Sequence, residues 1–192
     1  MTAAASKRPP ASARKAFGLV FAAGVLYALR ALALGWAGAV PMAPALLPLG
    51  PDNYYFWEMV FILPLFVAGW LFVSTFAKVC ARVLGGRGTL RTTAAALGPA
   101  LAAPLVFIWV FEAGLAVLRL AGLGQPELVD IVSAPGVWQA VFIGYHLLGA
   151  LGLWALTIRA LAASQKLGRF KAVLAGTLTA ALFLLIIVVC VR

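Results

Sequence analysis

The sequence predicts an all-α membrane protein, a bundle of five transmembrane helices with its amino terminus in the cytoplasm and its carboxyl terminus outside. Three observations lead there. Of 192 residues, 65% are hydrophobic and only 10% charged, too few polar side chains to cover a water-facing surface. The apolar residues fall into long stretches, and a helix rising ~1.5 Å per residue needs about 20 of them to cross a hydrocarbon core of ~30 Å. The cations collect in short clusters between those stretches, as the positive-inside rule asks of cytoplasmic segments.

Residues 1–15 combine Ala, Ser and Pro with Lys7, Arg8, Arg14 and Lys15. So little apolar content cannot offset chain entropy, and a disordered basic cytoplasmic tail is expected, followed by one membrane domain over 16–192. The first span, about 16–36, is interrupted only by Arg30. Ala37-Gly38-Ala39 mimics a secretory cleavage site, but the run exceeds a signal core and carries an arginine, so it reads as a retained anchor. Pro41, Pro44, Pro48 and Pro51 make 37–53 an interfacial loop, because proline removes a donor and clashes with the preceding turn. Tyr54, Tyr55, Phe56 and Trp57 open a second span over 55–78, as aromatic residues do at headgroup level, and Pro64 is expected to kink it.

Gly85-Gly86-Arg87-Gly88 lets the chain reverse, with Lys78, Arg82 and Arg91 around it. It lacks the terminal Gly-Lys-Ser/Thr of a phosphate-binding loop and reads as a turn. A third span, about 92–121, contains Pro99, Pro104 and Glu112. Residues 122–135 form a polar-leaning loop with Glu127 and Asp130 and no cation. The fourth and fifth spans, about 137–161 and 170–191, are joined through Arg159, Lys166, Arg169 and Lys171. Twelve of the fifteen basic residues thus lie in the tail, the 78–91 loop and the 159–171 loop. Five spans put all three on one side; losing or merging a span would split them. The net charge of +10 is therefore juxtamembrane charge, and with no basic domain or aromatic-basic platform no nucleic-acid partner is expected.

A charge at the bilayer centre costs on the order of 3 kcal/mol even on a lenient scale, so Arg30, Glu58, Glu112, Arg119 and His146 stand out. Span alternation brings Arg30, Glu58, Glu112 and His146 to the outer half. Arg30 is expected to pair with Glu112 or Glu58, with His146 nearby, in one intramembrane polar cluster; it would either fix helix register or serve a transport path. Glu58 and Arg119 have the alternative of reaching the interface by snorkelling. Cys80 and Cys190 fall on opposite sides of the bilayer, too far apart for a disulfide; they read as packing residues, with a lipid-modified or reactive Cys80 as the alternative. Gly69, Gly114, Gly144, Gly149, Ala150 and Gly152 are small enough to let helices approach closely. No nucleophile-base set, catalytic carboxylate pair or metal-ligand set stands out, so neither enzyme activity nor a cofactor or metal is expected.

Gly85-Gly86-Arg87-Gly88-Thr89, followed by Thr92, Gly98 and a proline-containing span, resembles the Yip1 domain family of small integral membrane proteins. The run from Gly144-Tyr145 through Trp154 to Lys166-Leu167-Gly168-Arg169-Phe170-Lys171-Ala172 and a last apolar span is similar to bacterial members, and the likeness covers about 17–191. The resemblance implies a five-span α-helical domain with a cytoplasmic amino terminus and, for eukaryotic relatives, membrane trafficking with small GTPases. The tail lacks the Asp-Leu-Tyr-Gly-Pro element of those relatives, and the Ala-, Gly- and Arg-rich composition fits a bacterial plasma (inner) membrane. The expected function is a non-enzymatic scaffold or assembly factor. It would bind other membrane proteins or itself through the bundle, and anionic lipid through Arg82, Arg87, Arg91, Lys166, Arg169 and Lys171. The alternative is a small transporter or lipid-handling protein using the polar cluster.

Reporter domains fused at the Arg87 turn and at the Lys166 turn should both give the cytoplasmic signal. Opposite signals would break the five-span count.

Overall fold

Side-chain caps fix the starts of two of the helices. The computed structural model describes residues 12–41 and 50–190, so Lys7 and Arg8 of the basic tail, Pro44 and Pro48 of the proline-rich connection, and Arg192 lie outside the described residues. Ser12 accepts the Lys15 N–H at 3.2 Å and starts α1 (Ala13–Trp36), so Arg14 and Lys15 belong to a helical turn and not to a disordered tail. A single 3-10 turn, Pro51–Asn53, leads into α2 (Tyr54–Val83), which continues through Pro64. Thr89 and Thr92 cap each other's backbone in a reciprocal box at the start of α3 (Leu90–Leu120).

The loop expected over 122–135 holds a short helix, α4 (Gln125–Ser133), with Pro126 in its first turn, where a missing N–H costs nothing. Proline and the acid Glu127 are start signals for a helix, and the polar-leaning composition masked them. Helix α5 (Val137–Gln165) ends on Lys166 in the left-handed conformation, φ 55°, and α6 (Arg169–Cys190) follows.

Among the described residues there are six α-helices and no strand, and five of the helices are long and apolar enough to cross a membrane. Those five run from 22 to 31 residues, roughly 33 to 46 Å at 1.5 Å per residue, which exceeds the hydrocarbon thickness and leaves ends to project or tilt. Many large apolar side chains point outward along the whole length, among them Phe72, Val110, Leu148 and Leu185. Water would oppose that surface; acyl chains match it. The architecture is that of a multi-pass membrane protein.

Helix α1 lies against both α2 and α3; α3 packs on α5, α5 on α6, and α6 returns to α2, closing a ring beside which α1 is seated. Between lipid-solvated helices burial brings no hydrophobic gain, so contact depends on close fit and hydrogen bonds. Glycine provides the fit where backbones meet. A Cβ on Gly98 would stand 2.9 Å from Ala16 Cα across the α1–α3 seam, and one on Gly176 would stand 2.8 Å from Ile158 Cα across the α5–α6 seam. Gly149 is likewise filled by Ile108. A Cβ on Gly114, Gly144 or Gly152 would meet nothing within 4 Å, so these are not seam glycines in this chain, contrary to their expected role. Side-chain donors add ties between helices: Trp70 Nε1 to Ala94 O at 3.0 Å, Tyr27 Oη to Leu105 O at 3.1 Å, and Trp109 Nε1 to Leu26 O at 2.8 Å.

Gly98→Val and Gly176→Val should each destabilise the detergent-solubilised protein by about 1–3 kcal/mol, the usual cost of overpacking a close seam. Gly114→Ala and Gly144→Ala should stay within ~0.5 kcal/mol of the parent. Equal losses at all four positions, read from reversible unfolding in mixed micelles, would contradict the seams described.

Candidate functional site

Because α1 runs antiparallel to α2 and parallel to α3, the end of α1, the start of α2 and the late part of α3 share one end of the bundle. The start of α5 joins them there. The structure brings Arg30, Glu58, Glu112 and His146 together at that end. The Arg30 guanidinium spans two helices, with Nη2 donating to Glu58 Oε1 at 2.7 Å and Nη1 to Glu112 Oε2 at 2.6 Å. The sequence left Glu58 and Glu112 as alternative partners; Arg30 holds both. Planar guanidinium geometry allows this, since its terminal nitrogens diverge toward different acceptors. The Glu58 side chain is fully buried, so it does not snorkel to an interface.

His146 lies at the edge of the cluster, with Nε2 3.9 Å from Glu112 Oε1. Its Nδ1 is 2.8 Å from the Phe142 carbonyl oxygen, which can only accept, so Nδ1 carries the proton in that contact. A neutral ring then presents a lone pair to the carboxylate, and only the imidazolium presents a proton. The formal charges expose an imbalance: one guanidinium faces two carboxylates. One added positive charge, a proton on His146 or on a carboxyl group, closes it.

Tyrosines complete the setting. Tyr27, one turn before Arg30, has its ring 5.5 Å from the guanidinium carbon. Tyr54 and Tyr55, expected at headgroup level, are buried beside the start of α2 with rings 5.5 Å apart, edge to face. Only Phe56 and Trp57 point outward, because helical spacing sends successive residues to different faces. Phe111 and Phe142 flank the His146 imidazole. Arg30 Nε and Glu58 Oε2 are buried without a hydrogen-bond partner. Arg119 stands apart from the cluster and ties backbone, donating to Leu123 O at 2.9 Å and reaching Gly38 O at 3.5 Å.

The opposite end is basic. Arg82, Arg87, Arg91, Lys166, Arg169 and Lys171 are all exposed there, as are Arg14, Lys15 and Arg159, and Lys78 is half-buried beside them. All five acids of the chain, Asp52, Glu58, Glu112, Glu127 and Asp130, lie toward the other end. The two basic turns are joined. Gln165, at the end of α5, accepts the Arg87 N–H on its backbone oxygen at 3.0 Å and the Gly88 N–H on its side-chain oxygen at 2.9 Å. Its amide nitrogen donates to Thr93 Oγ1 on α3. Sequence reading passed over Gln165 and Tyr27. The available signals were a lone neutral amide at a helix end beside a basic turn, and a tyrosine one turn from a buried arginine.

In comparisons with protein-family models, with curated proteins and with solved structures, the chain matches none. What the site can do therefore rests on its own chemistry. The polar cluster can hold or exchange a proton and can lock three helices; the basic end can hold anions.

The charge imbalance ranks substitutions. Arg30→Met leaves two buried carboxylates uncompensated and should cost about 3–5 kcal/mol of stability. Glu112→Gln keeps the Arg30–Glu58 pair and makes the cluster neutral, so its cost should be only ~1 kcal/mol, the scale of one hydrogen bond. Unfolding measurements placing Glu112→Gln at or above Arg30→Met would refute the ordering.

Proposed function

We propose that the chain is a non-enzymatic integral membrane protein of the Yip1 type, a scaffold or assembly factor in a bacterial plasma (inner) membrane. In this reading it associates with other membrane proteins or with itself and holds its basic end against anionic lipid. The observation that carries it is the separation of charge along the bundle: ten described cations gather at one end, and every carboxylate lies toward the other. An anionic leaflet attracts each juxtamembrane Lys or Arg by about 1 kcal/mol, so such an end is drawn to lipid headgroups. The positive-inside rule then assigns the amino terminus and the two basic turns to the cytoplasm and the carboxyl terminus to the outside. The doubly paired Arg30 supports a scaffold in another way, since it cross-braces α1, α2 and α3 and leaves the outer helix faces for partners.

The imbalance of one guanidinium against two carboxylates, together with unpaired Arg30 Nε and Glu58 Oε2, favours a second reading: a small transporter that moves a proton or cation through the cluster.

Affinity purification in mild detergent, paired with crosslinking in native membranes, should recover a membrane partner or a self-associated form. Monomer alone by both methods would weigh decisively against a scaffold. For the second reading, Glu112→Gln should abolish proton or cation flux in reconstituted vesicles; a parent protein without flux removes it.

A further inference from the structure

We propose that a recess at the basic end binds a phosphate-bearing anion. The proposal rests on the membrane reading above and deepens its contact with anionic lipid into a defined site. The recess has a volume of about 330 Å³ and is lined by Lys78, Arg82, Gly86, Arg87, Gly88 and Thr89. That size lies at the lower limit of ligand pockets, roughly 300–1,000 Å³, and suits a small charged group better than an extended one.

Three features make the recess a site and not merely a basic surface. Its cations converge: Lys78 and Arg82 are four residues apart on α2 and share a helix face, while the 85–88 turn carries Arg87 to the same hollow. A fourth cation stands close by, with Lys171 Nζ 3.7 Å from where a Cβ on Gly85 would be.

The cations are also uncompensated. Lys78, Arg82 and Arg87 make no ion pair or side-chain hydrogen bond among the described residues, and no carboxylate lies at this end of the bundle. Like charges brought into one hollow repel, and an anion between them relieves that repulsion.

The wall is rigid as well. Gln165 fixes the Arg87 and Gly88 amides, a Cβ on Gly88 would collide with Ser164 O, and one on Gly86 would stand 2.8 Å from Ala81 O. The turn thus holds its shape through packing against α2 and α5, so little ordering is needed when a ligand arrives.

The charge count selects phosphate. Two guanidiniums and an ammonium exceed what one carboxylate balances, whereas a phosphomonoester carries about −1.5 to −2 and offers three oxygens to planar guanidinium forks. The same group can come from the phosphomonoester headgroup of phosphatidic acid or from a soluble phosphate. Val79 and Val83, 56% and 82% exposed on the α2 turns that bear Lys78 and Arg82, place acyl-compatible surface beside the site.

The test uses the full chain in neutral-lipid nanodiscs or detergent, with two probes: phosphatidic acid, followed by native mass spectrometry against phosphatidylcholine, and inorganic phosphate, followed by thermal shift. Lys78→Gln/Arg82→Gln/Arg87→Gln is compared with Arg159→Gln/Lys166→Gln/Arg169→Gln, which removes equal charge from the same end outside the recess. Arg87→Gln alone, an exposed side chain without an internal partner, guards against misfolding of the triple variant. The recess triple should weaken binding about tenfold more than the control triple, with Arg87→Gln intermediate. Selective loss with phosphatidic acid alone supports the site with a headgroup source, and selective loss with inorganic phosphate supports it with a soluble one. Equal losses in both triples, or no binding of either probe by the parent, would overturn the site. Partner recovery by the recess variants is scored separately, so a failed site and a failed scaffold reading give different results.

Discussion

Arg30 places a permanent positive charge among apolar helices, and the need to compensate it governs how the first half of the bundle is arranged. The guanidinium side chain is 9% exposed and bonds carboxylates on two other helices. A pair with either carboxylate alone would tie α1 to one neighbour. Holding both seats α1 in contact with α2 and α3 together and fixes the rotation of all three about their axes. A buried ion pair gives little net stability, since desolvation offsets much of the Coulomb attraction. Its effect is specificity: any register that separates these groups strands a charge in a medium that cannot solvate it.

Away from that cluster the bundle depends on fit. Lipid tails are as apolar as leucine, so exposed Phe, Leu and Val gain nothing by turning inward. The seams are made instead where side chains are smallest, at Gly98 against Ala16, Gly149 against Ile108 and Gly176 against Ile158. Indole and phenol donors reinforce them by bonding to backbone carbonyls on adjacent helices. The two kinds of contact divide the work. Glycine sets how closely helices approach, and polar ties set their register.

The two ends of the molecule carry different chemistry. One end holds carboxylates, tyrosines and a histidine around a buried arginine, where protons can be held. The other holds cations alone, on turns bound to each other through Gln165. Gln165 suits that position because an amide both donates and accepts while adding no charge to a basic region. Charge is thus separated along the bundle, with a basic end at one side and a braced core around Arg30 toward the other.

Composition and the spacing of apolar runs determined the all-helical architecture and its five long spans, because crossing hydrocarbon requires a fixed length of apolar helix. Span alternation also gathered Arg30, Glu58, Glu112 and His146 toward one end, since it sets depth along the bundle axis. Depth is one coordinate of three. Rotation and neighbour choice are set by side-chain fit across seams, and only the tertiary structure decided that Arg30 holds both carboxylates, that Tyr54 and Tyr55 turn inward, and that Gly144 and Gly152 leave room for a Cβ. The Gln165 bridge was hidden for the same reason, since it depends on partners distant in sequence, Arg87, Gly88 and Thr93, whereas the local start signals of the short α4 were masked by the polar-leaning composition around them. Local pattern records what solvent each segment prefers; which segments meet, and which atoms of theirs touch, is a property of the packed whole.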